Sequence, residues 1–302
     1  TAYWLNVHWE KRNHVELAEE IQPIMSKGYI MLDDGTRIDL GEDKGEVREA
    51  DGIKITRDSV KVVYASENVT PTDRIAYNEL NFAMGGEYML VLTDGTKVWV
   101  NADSRLKFPV RFREDRREVY LLSGEAYFEV ESDKEHPFYV NTPGGLSVRV
   151  TGTKFNVSAY DDERTIEVVL EEGRVNVENT DGNVNMALRP GECFYYDRQD
   201  KNTYVKSIET YEKTAWKDGK VVFRNASLDK IFKFLSRRYN VDINFVNKKN
   251  TEYNYRATFT GEDIFQILDY LSMTAPIKWE VATPAQNSDT TLSRKRINIY
   301  LE

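Results

Sequence analysis

Three histidines, one cysteine and fifty acidic side chains are the groups from which this 302-residue chain could build chemistry. A Ser-His-Asp or Cys-His device would need His8, His14 or His136. His8 and His14 lie in a polar lead-in, and His136 precedes Pro137 in the charged stretch Ser132–Pro137, where it reads as a loop residue. No His-Glu-x-x-His, Gly-x-Ser-x-Gly or Walker-type phosphate loop occurs. Cys193 alone forms no internal disulfide, Cys-x-x-Cys pair or cysteine zinc site. Placed before Phe194-Tyr-Tyr196, it reads as a small buried apolar residue. Glycosidase chemistry needs only two facing carboxylates, and fifty acids produce such pairs by chance. Asp161-Asp-Glu163 has the look of a calcium-loop fragment, but calcium takes about six or more oxygens, and a hairpin tip fits better. The expectation is no catalytic residue, no cofactor and no metal. Trp99, Trp216 and Trp279 sit in or beside alternating strands and are expected to pack rather than stack on sugars.

The charge balance supports this. Lys and Arg number 41 against 50 Asp and Glu, a net −9, which argues against non-specific nucleic-acid or anionic-lipid binding. The longest apolar run, Tyr88-Met-Leu-Val-Leu92, is too short to cross a bilayer. The chain starts at Thr1 without a signal-peptide pattern, as expected of a piece of a longer protein.

From about residue 28 to 205 polar and apolar residues alternate, as in Arg174-Val-Asn-Val-Glu178 and Ser147-Val-Arg-Val-Thr151, the strand signature. Asp precedes Gly at residues 34, 94, 181 and 218, marking tight turns. Met31–Leu40 and Val91–Val100 share a Leu-x-Asp-Gly-Thr core, from duplication or, preferably, from one turn chemistry reached twice. The stretch Asn68–Tyr77 breaks the alternation and reads as a linker. After residue 213 the period changes. Leu228, Ile231, Phe232 and Leu235 mark one helix with Ser227 as N-cap; Ile264, Ile267, Leu268 and Leu271 mark a second, stopped by Pro276. Strands at 221–223, 241–245, 256–260, 277–281 and 296–300 complete a β-α-β-β-α-β-β order, helices on one sheet in two layers.

The predicted fold is mainly β, a sandwich-like or solenoid-like body followed by a C-terminal α/β lobe. The expected divisions are a leader over 1–22 after a membrane anchor, a leading β unit and linker over 23–84, the main β domain over 85–207, a linker over 208–216 and the lobe over 217–302.

Seven motifs follow one another between Gly86 and Glu192: Leu92-Thr-Asp-Gly-Thr-Lys-Val-Trp-Val-Asn101, Ser104-Arg-Leu106, Arg117–Val130 with its Ser-Gly-Glu-Ala-Tyr-Phe-Glu-Val, Pro137–Val140, Val150-Thr-Gly-Thr-Lys-Phe-Asn-Val157, Glu172-Gly-Arg-Val175 and Leu188-Arg-Pro-Gly-Glu192. In this order they resemble the FecR family of membrane-anchored anti-sigma regulators. Trp216–Gly219, Leu235–Tyr239, Phe259–Gly261 and the Ile267-Leu268 helix resemble the domain that follows FecR in Bacteroidetes members, itself similar to the signalling domain of TonB-dependent transducers and secretins. The resemblance implies a periplasmic, non-enzymatic receiver. Its partners would be the signalling domain of a SusC-like or siderophore-type TonB-dependent transducer and, through a cytoplasmic segment outside this sequence, an ECF-type sigma factor. Nucleic acid is not an expected partner, and the isolated chain is expected to be a monomer. The alternative is a periplasmic or surface glycan-binding or glycan-processing β protein, which a groove lined by aromatics beside paired carboxylates would favour.

The candidate partner surface lies on the lobe. At about 100° per residue, Phe265 and Tyr270 fall roughly 110° to either side of the second helix's apolar centre, with Met273 nearly opposite; Phe234 is offset similarly on the first helix. In two layers these four would lie off the lobe's core, either packed against the β body of the same chain or forming a docking patch. Strand addition at Arg256–Thr260 or Arg296–Tyr300 is the rival mode.

Overall fold

Leu92-Thr-Asp-Gly-Thr96 closes as its residues dictate. Leu92 N donates to Thr96 O, Gly95 N donates to Leu92 O, and Asp94 Oδ1 accepts from Thr96 N at 3.0 Å. Leu32–Thr36 repeats each bond, with Asp34 Oδ1 accepting from Thr36 N at 2.8 Å. The two turns sit in different sheets of a computed structural model that describes residues 28–40, 45–48, 53–66, 74–82, 85, 87–247, 254–282 and 295–301. The leader over 1–22 and most of the Asn68–Tyr77 linker lie outside the described residues. The described residues divide into two compact units, a β body over 28–82 and 87–218 and a lobe over 219–301 that also takes in Gly85.

The body holds nineteen described strands. They are β1 Gly28–Met31, β2 Arg37–Asp39, β3 Gly45–Arg48, β4 Ile53–Arg57, β5 Lys61–Ser66 and β6 Tyr77–Phe82. There follow β7 Glu87–Val91, β8 Lys97–Asn101, β9 Ser104–Pro109, β10 Arg117–Ser123, β11 Glu125–Glu129, β12 Phe138–Asn141 and β13 Leu146–Val150. The last are β14 Lys154–Ser158, β15 Thr165–Glu172, β16 Val175–Asn179, β17 Asn185–Leu188, β18 Glu192–Asp197 and β19 Thr203–Ser207. One sheet runs β17-β16-β13-β12-β10-β9-β6-β1-β2 and the other β19-β18-β15-β14-β11-β8-β7-β5-β4-β3. Inward side chains of both, among them Leu80, Phe108, Phe138, Phe155 and Phe194, make one core.

Beyond β6 the chain advances along both sheets together, crossing between them every one or two strands. Sandwich and solenoid are therefore one architecture here. Crossings need sharp corners. Gly124 joins β10 to β11 at φ +98, and a Cβ there would meet Ser104 Oγ at 2.1 Å. Gly152 joins β13 to β14 at φ +139, with Ser132 Cα 2.9 Å from where a Cβ would stand. The expected separate leading unit is corrected: β1 to β5 are strands of the same two sheets, because their inward residues Ile30, Ile53, Ile55 and Val62 pack into the common core.

After β19 come a one-turn helix, α1 Tyr211–Thr214, and a single 3-10 turn, Ala215–Asp218. The expected linker over 208–216 is thus in large part ordered. Thr214, Ala215 and Trp216 are buried within the body.

The lobe comprises β20 Val221–Ser227, α2 Leu228–Tyr239, β21 Asp242–Asn247, β22 Asn254–Phe259, α3 Ile264–Thr274, β23 Ile277–Ala282 and β24 Arg296–Leu301, the order the sequence predicts. Asn240, left-handed at φ +52, ends α2. Asp263 is the N-cap of α3. Its carboxylate accepts from Phe265 N and Gln266 N, while Gln266 Oε1 accepts from Asp263 N, a reciprocal box worth about 1 kcal/mol. The strands form two sheets, β20-β22 and β21-β24-β23, not one. Each helix sends an aromatic to both. From α2, Phe234 meets Phe223 of β20 at 5.7 Å and Phe232 meets Phe245 of β21 at 5.2 Å. From α3, Tyr270 meets Phe259 of β22 at 6.2 Å and Phe265 meets Trp279 of β23 at 5.2 Å. The lobe therefore has three layers, with the helix pair between two small sheets.

Candidate partner-binding surface

The third layer decides the fate of the four predicted contact residues. Phe265 is corrected: it is 3% exposed and stacks on Trp279, whose indole N–H donates to Asp269 at 3.2 Å. Phe234 is half-buried against Phe223. Tyr270 lies with its ring over Phe259 yet 49% exposed, and Met273 is 79% exposed. A helix face opposite one sheet is free only if no second sheet covers it. Here the second sheet takes Phe234 and part of Tyr270, leaving Tyr270 and Met273, one turn apart, at the surface.

The strand edges divide as cleanly. β24 is the middle strand of its sheet, so Arg296–Tyr300 offers no edge. Among the described residues β22 pairs only with β20 and stands at the end of its sheet. Edges of this kind accept an added strand.

On the body, the polar residues of the resemblance motifs converge. Asn101 of β8, Glu125 of β11 and Asn156 of β14 point away from the sandwich core from adjacent strands. Asn101 Nδ2 donates to Glu125 Oε2 and Asn156 Nδ2 to Glu125 Oε1, each at 2.8 Å. Ser104 Oγ accepts from Glu125 N at 2.8 Å. The carboxamide orientations are locked from behind, since Asn101 Oδ1 accepts from Ala102 N at 2.8 Å and Asn156 Oδ1 from Trp216 Nε1 at 3.3 Å. Burial pushes the Glu125 carboxyl up to about 7, against the two carboxamide bonds and the Lys213 charge. Trp216 thus belongs to a strap over the outer face of the sheet. Lys213 pairs with Glu167 at 2.6 Å, and Lys217 stands 5.0 Å over the Tyr127 ring. Burial works against the Lys213 ammonium, but Glu167 outweighs it and holds the pKa above the ordinary lysine value. Cys193 lies in the same covered patch, where burial raises its thiol to about 12. Sequence reasoning used these motifs as a signature without assigning them a contact. Their available signal was polar residues at outward positions of adjacent strands beside a corner glycine.

No group of three or more His, Cys, Asp or Glu among the described residues could hold a metal ion. No described helix is long and apolar enough to cross a membrane. Among the described residues the arrangement offers surfaces and a structural polar network.

The family model described as FecR protein matches residues 78–176, and that described as FecR, C-terminal matches residues 220–285. The chain belongs to the FecR family of anti-sigma factors. Two crystal structures of a candidate anti-sigma factor from Parabacteroides distasonis ATCC 8503 are similar to this FecR protein. One, at 2.50 Å resolution, is 25% identical with a TM-score of 0.65, covering 75% of this chain and 99% of its own. The other, at 1.65 Å, is 25% identical with a TM-score of 0.64, covering 74% and 99%. No curated protein matches the chain. FecR proteins are regulators, and the role of this chain is anti-sigma signalling. The FecR match ends inside β16, whereas the body runs on through β19 and the strap; the C-terminal match begins at Lys220, one residue before β20.

Proposed function

We propose that this chain is the periplasmic, signal-receiving region of a single-pass anti-sigma factor. It takes the signalling domain of an outer-membrane TonB-dependent transducer and relays transducer occupancy to an ECF-type sigma factor through a cytoplasmic segment. What carries the reading is the pairing, on one chain, of a FecR body with a C-terminal FecR lobe whose helices are enclosed by two small sheets, with Tyr270 half-exposed. A relay needs an ordered receiving surface, and the ordered strands and helices of the lobe support that role.

The test is transcriptional. The gene is deleted in the source bacterium, and transcription of the neighbouring transducer operon is followed with and without the transported compound. Loss of the response to that compound is expected. An unchanged response would overturn the relay.

A further inference from the structure

Three hairpin ends surround one cavity of the β body. The β12–β13 and β16–β17 turns bring Pro143, Asp181 and Val184 to it from one sheet. The β18–β19 hairpin brings Tyr196, Arg198 and Lys201 from the other. The cavity measures about 360 Å³, within the size range of small-molecule sites and larger than a lone ion needs.

The acids of the β18–β19 hairpin serve a different cation. Asp197 Oδ2 accepts from Arg164 Nε at 2.6 Å, and Asp200 pairs with the same guanidinium. Asp197 Oδ1 accepts from Gln199 N at 2.9 Å and from Asp200 N at 3.0 Å. Lys201, left-handed at φ +57, donates its backbone N–H to Asp197 O at 2.8 Å. The loop is thus held in shape without the side chains of Arg198 and Lys201, and neither has a carboxylate partner among the described residues. Arg198 Nη2 donates to Ala159 O at 2.8 Å, while its Nε is buried and has no acceptor. A buried charged donor without an acceptor is costly. Tyr196 is 6% exposed with its ring in the core, and its hydroxyl has no hydrogen-bond partner among the described residues. Asp181 is the one acid of the lining.

We infer that this cavity is a binding site for a small organic carboxylate. The acid group accepts from the Tyr196 hydroxyl and sits against the Arg198 guanidinium, with the Lys201 ammonium at the exposed rim and the carbon skeleton against Val184 and Pro143. Hydrogen bonds from a cation to a carboxylate are about twice as strong as neutral ones. Two cations against the single Asp181 favour an anion here, in a chain whose net charge is −9. Two sources carry this chemistry, a free small acid and the C-terminal carboxylate of a peptide. The site lies wholly within the body and goes beyond the relay, whose receiving surface is on the lobe.

The test titrates the purified full chain by calorimetry with succinate, with acetyl-dialanine, with the C-terminal amide of acetyl-dialanine and with inorganic phosphate. Saturable one-to-one binding of at least one of the two acids, tighter than that of the amide and of phosphate, is expected. Preference for succinate assigns a free small acid, and preference for acetyl-dialanine assigns a chain end. Tyr196→Phe removes one hydroxyl and should weaken binding by about fivefold. Lys201→Asn suits the left-handed backbone and should weaken it by about threefold with an unchanged melting temperature. Arg198→Gln should weaken it by about tenfold or more. No saturable heat from either acid up to about 20 mM would overturn the site. Equal binding of the amide or of phosphate, or wild-type affinity in folded Tyr196→Phe and Lys201→Asn chains, would overturn it as well. None of these outcomes bears on the relay, since no transducer enters the experiment.

Discussion

Asn156 holds Trp216. Its carboxamide oxygen accepts from the indole N–H at 3.3 Å while its nitrogen donates to Glu125 at 2.8 Å, so one side chain fastens the strap to the sheet and orients a half-buried carboxylate. Trp216→Phe removes one neutral hydrogen bond and part of a buried bicyclic ring, and should cost about 2 kcal/mol of stability. Asn156→Ala leaves the indole N–H and Glu125 each short of a partner and should cost about 2–3 kcal/mol. Chemical denaturation of the two variants measures both losses, and an Asn156→Ala chain as stable as the wild type would show that these bonds carry no weight.

Glu125 gives the body a pH dependence of definite sign. Its carboxyl is raised from 4.5 to about 7 by burial, so the folded chain binds this proton more tightly than the unfolded one. Its contribution to stability is complete below about pH 4.5 and is lost as pH rises through 7. Glu125→Gln should remove that component, flattening the stability profile between those values by on the order of 2 kcal/mol. Urea midpoints at several pH values measure it. Equal slopes in wild type and variant would show that Glu125 is not the titrating group.

Cys193 is fully buried beneath the strap with its thiol raised to about 12, where almost none is thiolate at neutral pH. A thiol-reactive dye should fail to label the native chain over hours and should label it stoichiometrically in denaturant. Rapid native labelling would show that the patch opens.

Phe265 and Met273, eight residues apart on α3, should respond oppositely to truncation. Phe265→Ala opens a cavity against Trp279 and should cost about 3–4 kcal/mol. Met273→Ala changes a side chain that is mostly in solvent and should stay within about 0.5 kcal/mol. Thermal melts of the two variants separate these outcomes.

The same pair shows how far the sequence could be read. The alternation in β16, the Asp-Gly turns and the helical spacing of Leu228 to Leu235 are local, and each appears as an element where expected. The burial of Phe265 is not legible in a helical wheel, which ranks residues around one helix without counting the layers that cover it. That five lobe strands split into two sheets rests on the parallel pairing of β21 with β24, separated by about fifty residues, which no local pattern specifies. The leading strands were set apart for the same reason: β5 joins β7 in parallel across the Asn68–Tyr77 break. The Glu125 network was legible as motif residues but not as a site, because Trp216 reaches Asn156 across sixty residues of sequence.

The most direct measurement is calorimetric titration of the purified chain with the signalling domain of its neighbouring transducer, run beside a glycan array on the same preparation. Saturable one-to-one binding of the signalling domain, with no saturable sugar, is the predicted result. Saturable binding of a sugar with no heat from the signalling domain would contradict the relay and favour a glycan-binding β protein.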